Sequence, residues 1–177
     1  FIGQNHYKGG RTAAGLVSKI CPPDANIGVI ISSHNLSCHQ DRLRGFEDKL
    51  AELNSDFKIL DIQENQDRKD DAFRITLEYC NNYPELGAIY LTSGGITGVA
   101  SALEIAEKTQ QIKVICHDIT TDTVPLLKKG VVDFALGQSP VLQGYQLVKT
   151  LFEYLVKNIC PPDNIEIPIT IATDESL

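Results

Sequence analysis

The 177-residue sequence lacks clustered positive charge, long apolar runs and an export leader. Its 16 lysines and arginines are scattered among 23 acidic residues, and phosphate binding needs clustered basic side chains, so a nucleic-acid-binding face is not expected. No apolar run approaches the roughly 18 residues that a membrane span needs, so no membrane partner is expected either. No charged and then apolar leader opens the chain. Because Phe1 to Gly3 look like the end of a buried strand and no Met precedes them, we expect a piece of a longer protein.

The cysteines lack the even number and paired spacing of a disulfide framework or a metal site. There are five, widely separated, and they are Cys21, Cys38, Cys80, Cys116 and Cys160. Cys80 and Cys116 lie in apolar patterns, where a free thiol behaves as a small hydrophobic group. Since export would expose unpaired thiols to oxidation, we expect the cytoplasm. A disulfide between Cys21 and Cys160, each followed by Pro-Pro-Asp, stays open because it needs Cα atoms within about 7 Å.

Short β-branched runs alternate along the whole chain with segments of helical periodicity. The predicted strands are 27–31, 57–60, 88–91, 112–116, 132–136 and 165–171, and the predicted helices are 39–54, 70–82, 96–108, 123–129 and 140–157. We expect Ser139 to cap the last helix. Strand–helix alternation with short connections implies parallel strands and right-handed crossovers. The sequence therefore predicts an α/β fold with a doubly wound, mostly parallel sheet.

Polar clusters follow five of the predicted strands, at the edge where ligands of such sheets bind. These clusters are Ser32 to His39, Asp61 to Asn65, Thr92 to Gly95, His117 to Thr120 and Gly137 to Ser139. A carboxylate such as Asp118 can accept two hydroxyl hydrogen bonds, and Arg42, in the helix after the first cluster, offers a fork of donors. Gln138, Thr92 and Ser93 can both donate and accept. The arrangement suits a polyhydroxylated ligand, because a wrong ligand leaves one of these groups unpaired.

Four stretches resemble, in order, motifs of the effector-binding region of the lactose-repressor (LacI/GalR) family and its relatives, the periplasmic sugar-binding proteins. They are Phe1-Ile2-Gly3-Gln4-Asn5 with Gly10 and Ala13-Ala14, the R-x-x-G-F element Arg42-Leu43-Arg44-Gly45-Phe46, the strand Val114-Ile115-Cys116-His117-Asp118, and a Q-x-P-x-x-x-G element from Gln138 to Gly144. In the family the arginine and the aspartate of these motifs contact the effector, and here they fall on Arg42 and Asp118. The chain has Thr92-Ser93 where the family usually carries Asn-Asp.

The resemblance implies a periplasmic-binding-protein-like type I fold, of which the chain is mainly the C-terminal lobe. Residues 1–138 would form this lobe, 139–158 a helix packing on a first lobe outside the chain, and 159–177 a return strand. The expected ligand-binding residues are Arg42, Asp118, Gln138, Thr92, Ser93, His34, Cys38 and Asn5. The expected function is the sugar-sensing module of a cytoplasmic, homodimeric transcription regulator that touches DNA only through a helix-turn-helix absent from this chain. The alternative is an exported sugar-binding receptor of an ABC-type uptake system.

Simpler roles compete for the three main candidates. Asp118 could cap the helix that follows it, Arg42 could be a solvated helix charge, and Gln138 could satisfy loop backbone groups. We favour ligand contact for Asp118 and Arg42 from their positions at the strand-end crevice, while for Gln138 the two roles are evenly balanced.

Metal, cofactor and catalytic sites are not expected. His34, Cys38 and His39 lack the paired spacing of a zinc site. Cys38 and His39 cannot form a nucleophile–base pair, because adjacent helical residues point about 100° apart. Gly94, Gly95 and Gly98 lack the Lys-Ser/Thr of a phosphate loop. Without a nucleophile–base–orienter set, the sequence predicts a binding module and not an enzyme.

Overall fold

A computed structural model describes residues 1–53 and 56–177 of the chain. Strands and helices alternate from the start almost to the end. They are β1 (Ile2–Gly3), α1 (His6–Ile20), β2 (Asn26–Ile31), α2 (Ser37–Glu52), β3 (Lys58–Glu64), α3 (Lys69–Asn82), β4 (Leu86–Leu91), α4 (Ile96–Ile105), β5 (Lys113–His117), α5 (Thr123–Lys128), β6 (Phe134–Gly137), α6 (Pro140–Lys157), β7 (Ile165–Glu166) and β8 (Thr170–Ala172).

The main sheet has six strands in the order β3-β2-β4-β5-β6-β8. All neighbours from β3 to β6 are parallel, and only β8 runs antiparallel to its neighbour β6. β1 and β7 form a separate two-stranded parallel sheet. The predicted doubly wound, mostly parallel sheet is confirmed, and its parallel strands all end at one edge.

Each face of the sheet is covered by helices and carries its own core. Ile27, Val29 and Ile31 of β2 pack in the core under α1 and α2. Ile30, from the same strand, packs with Ile75 and Val99 in the core under α3 and α4. Because side chains alternate between two apolar faces, this central strand is an almost continuous apolar run.

Two glycines allow α1 and α2 to cross in backbone contact. A Cβ on Gly10 would lie 1.8 Å from the carbonyl oxygen of Arg42, and one on Gly45 would lie 2.0 Å from the carbonyl oxygen of Tyr7. Only glycine permits so close an approach. The crossing holds the first turns of α2 against the start of α1, next to the carboxyl ends of the strands.

The chain near its end departs from the prediction. The single strand expected over 165–171 is two short strands in different sheets, because Pro168 between them has no N–H to continue a ladder. Ser139 does not cap α6: its φ is +51° and its hydroxyl bonds Thr170 at 3.2 Å. Asn54, the end of the helix predicted over 39–54, lies outside the described residues.

Two further sequence expectations concern cysteines and membranes. Cys21 and Cys160 are both free thiols in the structure, which contains no disulfide between them. Among residues 1–53 and 56–177, no helix combines the length and the apolar character needed to cross a membrane.

Candidate functional site

Asp118 lies at the centre of the strand-end edge, directly after β5. Its backbone has φ +73°, its N–H donates to the carbonyl of Leu136 at 2.9 Å, and its own carbonyl accepts from Thr123 at 2.9 Å. The carboxylate does not cap α5, because the hydroxyl of Thr120 accepts from the N–H of Thr123 at that helix start. The backbone therefore holds Asp118 in a fixed position and leaves its carboxylate free to face the crevice.

Gln138 follows β6 and contacts Asp118 directly. Its Nε2 donates to Asp118 Oδ1 at 2.6 Å, while its backbone carbonyl accepts from Gln143 Nε2 at 2.7 Å. The Gln138 side chain thus bonds a second candidate residue and not the loop backbone. Two residues 20 positions apart in sequence form one polar pair, which we call the Asp118–Gln138 pair.

Two cavities flank this pair. One of about 380 Å³, which we call the larger cavity because it is the larger of the two beside this pair, lies towards α3 and α4. It is lined by groups that include Asp67, Ser93 and His117. The other, of about 290 Å³, lies on the Gln138 side and reaches Ser139. Asp118 lines both cavities, so its carboxylate is available to a ligand in either.

Arg42 and Thr92 lie below this edge and not on its surface. Arg42 is only 4% exposed and Thr92 is fully buried. Arg42 Nη1 donates to the carbonyl of Thr92 at 2.6 Å, and the Thr92 hydroxyl bonds His39 Nδ1 at 2.9 Å. Arg42 is therefore not a solvated helix charge, and the Thr92 hydroxyl is already engaged inside the protein.

The other four predicted residues are spread over the edge. Ser93 lines the larger cavity beside Asp118 and donates to Asn65 Oδ1 at 2.9 Å. Asn5 caps α1, accepting from the Lys8 N–H at 3.0 Å, and lines a separate cavity of about 450 Å³. His34 is exposed on the loop after β2, and Cys38 is half-buried at the start of α2. The structure brings only Ser93 to the Asp118–Gln138 pair.

Asp67 is a residue of the larger cavity that the sequence analysis missed. Its carboxylate accepts from Ser32 Oγ at 2.7 Å and from the Gly94 N–H at 2.8 Å. Burial alone would raise the pKa of Asp67, but these hydrogen bonds and the charge of Arg42 outweigh it and lower that pKa. Asp67 lies three residues past the end of β3, beyond the predicted polar cluster, which ends at Asn65.

His117 also lines this cavity; the sequence places it in a strand-end polar cluster but not among the expected ligand-binding residues. It is 3% exposed, and its Nε2 lies 2.9 Å from the hydroxyl of Tyr90. Burial and the nearby Arg42 hold the pKa of His117 well below the ordinary histidine value, so the ring is neutral at neutral pH. Within the described ranges, no three His, Cys, Asp or Glu residues are arranged to hold a metal ion.

The comparisons with known proteins agree with the fold and define its family. Residues 1–158 match the family model described as a periplasmic binding protein domain, and the chain belongs to that family. It is 23% identical over 98% of its length to the D-ribose/D-allose-binding protein of Pseudomonas aeruginosa, covering 55% of it. It is 22% identical over 98% of its length to the xylose/arabinose-binding protein XylF of Sulfolobus acidocaldarius, covering 42% of it.

A solved structure of a sugar-binding protein has the same fold. The sugar-binding protein of a sugar ABC transporter from Bacillus halodurans superimposes with a TM-score of 0.90 at 25% identity, over 99% of this chain and 64% of that one. The chain thus spans about half the length of the curated relatives that it matches.

These findings correct the expected biological role. The matched family is that of periplasmic binding proteins and the relatives above are sugar-binding proteins, not LacI-type DNA-binding regulators, so the prediction of a transcription regulator is wrong. The predicted cytoplasmic location is wrong for the same reason, since the family is that of periplasmic binding proteins. The comparisons lend no support to the expected homodimer or to DNA as a partner.

Proposed function

We propose that this chain supplies one lobe of an exported sugar-binding receptor of an ABC-type uptake system, which binds its ligand without catalysis. The Asp118–Gln138 pair carries this proposal. Among the described residues only Gln138 donates to the Asp118 carboxylate, which leaves acceptor sites for ligand hydroxyls at the strand ends. The family and the names of the relatives support a sugar as the ligand.

The charges around the larger cavity favour a neutral sugar over a sugar acid or a sugar phosphate. Asp67, Asp118 and Asp122 line it, and Lys69 is the cation among its lining residues. An anionic ligand would be repelled by this net negative charge, whereas hydroxyl groups can donate to it. We therefore propose a neutral pentose or hexose.

We propose further that residues 1–138 form one lobe, that 139–158 pack on a first lobe outside this chain, and that 159–177 return. No residue of α6 is buried. Apolar side chains at spacings of three and four form an exposed stripe on this helix, and they are Val141, Tyr145, Val148, Phe152 and Leu155. A stripe of this size in a soluble protein calls for a covering surface, and a first lobe would supply it.

A thermal-shift screen of the complete protein tests the proposal. The panel contains D-ribose, D-allose, L-arabinose, D-xylose and D-galactose, with D-galacturonate and D-ribose 5-phosphate as charged counterparts. A sugar present at about 100 times its dissociation constant adds about 2.7 kcal/mol of stability. We expect one neutral sugar to raise the melting temperature of the wild type and not that of Asp118→Asn.

Asp24→Asn is the matched control, because Asp24 is exposed in the loop before β2, at the opposite end of the strands. It should respond like the wild type. Absence of any shift in the wild type would contradict the function, and an equal response of Asp118→Asn would contradict the site.

A further inference from the structure

The loop after β3 crosses the end of β2 and bonds the turn that follows β4. In the sheet, β2 lies between β3 and β4, so the loop has to span one strand to reach this turn. The N–H of Asn65 donates to the carbonyl of Ile31 at 2.9 Å, which fixes the start of the loop on β2. Two side chains of the loop then bond residues of the turn 93–95. We call the side chains of Asn65 and Asp67 the β3 brace.

Asn65 is fully buried and uses both ends of its amide on the turn. Its Nδ2 donates to the carbonyl of Gly94 at 2.6 Å, and its Oδ1 accepts from the hydroxyl of Ser93 at 2.9 Å. A second, longer contact of the same hydroxyl, 3.3 Å to the Gly94 carbonyl, also lies within the protein. The single hydroxyl hydrogen of Ser93 is therefore engaged inside the protein, and its oxygen can only accept from a ligand.

Asp67 bonds the same turn through the N–H of Gly94. One carboxylate oxygen of Asp67 accepts from this N–H at 2.8 Å, and the other accepts from the Ser32 hydroxyl at 2.7 Å. Ser32 follows β2 and is only 3% exposed, so it anchors the carboxylate on the sheet. The N–H and the carbonyl of Gly94 are thus both bonded to the β3 brace.

The backbone on both sides of these bonds is held in unusual conformations. Gln66 and Asp67 have φ values of +51° and +56°, which residues other than glycine adopt only at an energetic cost. Gly95 has φ +101°, and a Cβ there would lie 2.8 Å from Asn65 Nδ2. Such conformations persist where the surrounding contacts determine them, and they concentrate at ligand sites. The two adjacent glycines of the sequence are therefore explained by their close contact with the brace.

The two aspartates of the larger cavity differ in what they can offer a ligand. Both oxygens of Asp67 already accept from donors of the protein. Among the described residues, the Asp118 carboxylate accepts only from Gln138, through Oδ1, so its Oδ2 has no protein donor. Asp118 is therefore suited to contact a sugar directly, whereas Asp67 is suited to hold the turn beside it.

We propose that Asn65 and Asp67 are positioning residues that hold Ser93 in the sugar site as a hydrogen-bond acceptor; the inference rests on the proposed function. Ser93 and Asp118 line the same cavity, so the brace sets the position of one contact relative to the other. Asp67 acts through Gly94 and Ser93 and not through its own charge. Without the brace, a sugar would have to order the turn when it binds, and affinity would fall by that cost.

Isothermal titration of the complete protein tests this inference, with the five neutral sugars of the panel as probes. Asp67→Ala removes both bonds of the carboxylate, and we expect the affinity to fall at least about tenfold. Asp67→Asn keeps an oxygen for the Gly94 N–H and an amide to which the Ser32 hydroxyl can turn, so its affinity should stay within about threefold of the wild type. Asp70→Ala is the control, because Asp70 is an exposed carboxylate of α3 that lines neither cavity beside the Asp118–Gln138 pair, and it should bind like the wild type.

A double-mutant cycle separates positioning from a general loss of structure. If Asp67 acts through Ser93, Asp67→Ala should cost less than about twofold in a protein that already carries Ser93→Ala. Asn65→Asp keeps the shape of the side chain but places an oxygen against the Gly94 carbonyl, and it should weaken binding at least about fivefold. Should Asp67→Ala fail to fold, Asn65→Asp gives the same cycle with Ser93→Ala.

The possible results distinguish this inference from the proposed function. An equal loss of affinity in Asp67→Asn and Asp67→Ala would overturn the inference, because the charge of the carboxylate would then contact the sugar. Unchanged affinity in Asp67→Ala or in Asn65→Asp, or equal losses with and without Ser93, would overturn it too. Each of these results leaves the proposed function standing, since the wild type binds. No binding of any of the five sugars by the wild type would refute the proposed function and this inference with it.

Discussion

Replacing Gly10 with alanine tests the helix crossing that places Arg42 beneath the strand ends. The new Cβ would lie 1.8 Å from the carbonyl oxygen of Arg42 and 2.8 Å from the backbone nitrogen of Phe46, and neither backbone atom can rotate away. To restore van der Waals contact, α1 and α2 must part by roughly 1.5 Å. Overpacking of this kind costs about 1–3 kcal/mol, against which the better helix propensity of alanine returns about 0.5–1 kcal/mol. We expect a net loss of about 1–2 kcal/mol.

Gly15→Ala is the matched control, because Gly15 lies in the same helix and a Cβ there meets nothing within 4 Å. This variant should gain about 0.5–1 kcal/mol. Urea denaturation of the complete protein gives both free energies of unfolding. If the two substitutions change that free energy by the same amount, the close crossing of α1 and α2 is refuted.

Three further predictions concern the core, the buried His39 and the thiols. Tyr79→Phe should lower the free energy of unfolding by about 1 kcal/mol, because the hydroxyl donates to the buried carbonyl of Val29 at 2.9 Å; an unchanged urea midpoint would contradict that bond. Because the pKa of His39 is lowered, the unfolded chain binds more protons than the folded chain below pH 6.5. The free energy of unfolding should therefore fall from pH 6.5 towards pH 5, and it should fall by less in His39→Gln. Equal slopes of this free energy against pH in the two proteins would contradict the lowered pKa of His39. Exposed Cys160 should react quickly with an aromatic disulfide reagent. Buried Cys116, whose thiol pKa is raised by burial, should react only when the protein unfolds. Immediate reaction of Cys116 in the native protein would contradict its burial.

The layout of the sheet could be predicted because the physical signal is local. Ile89 and Leu91 of β4 pack in the core on one face of the sheet, while Tyr90 packs in the other. Burial on both faces requires an unbroken apolar run, and such a run is visible in sequence. The strand-end position of Asp118 follows from the same alternation, because the polar residue that ends such a run lies at the sheet edge.

The burial of the side chains at the sheet edge and their hydrogen-bond partners could not be predicted from the sequence. Arg42 follows the first polar cluster in sequence and Thr92 directly follows a strand, yet both are buried below the edge, where Arg42 donates to the carbonyl of Thr92 and the Thr92 hydroxyl bonds His39. The close packing of α1 on α2, which holds Arg42 there, is not visible in the sequence. Asn5 is a polar residue near a crossover, but its side chain is used as a helix cap. Asp67 belongs to the cavity through a loop conformation that no local pattern reveals.

The biological role was the largest error, and its cause is physical. Five free cysteines suggested a reducing compartment, but one of them, Cys116, is buried in the core with a raised thiol pKa, and only Cys160 is exposed among the five. A thiol in such a position is protected from oxidation wherever the protein is located, so it says little about the compartment. The strand-end residues report on the ligand site and not on what the ligand controls.

The most direct measurement of the central claim is a crystal structure of the complete protein bound to the panel sugar that gives the largest thermal shift. We predict ring hydroxyls within about 2.6–3.1 Å of the Asp118 carboxylate and of the Gln138 amide, between this lobe and a first lobe packed on α6. A sugar bound elsewhere, with the Asp118–Gln138 pair open to solvent, would contradict the assignment of this site.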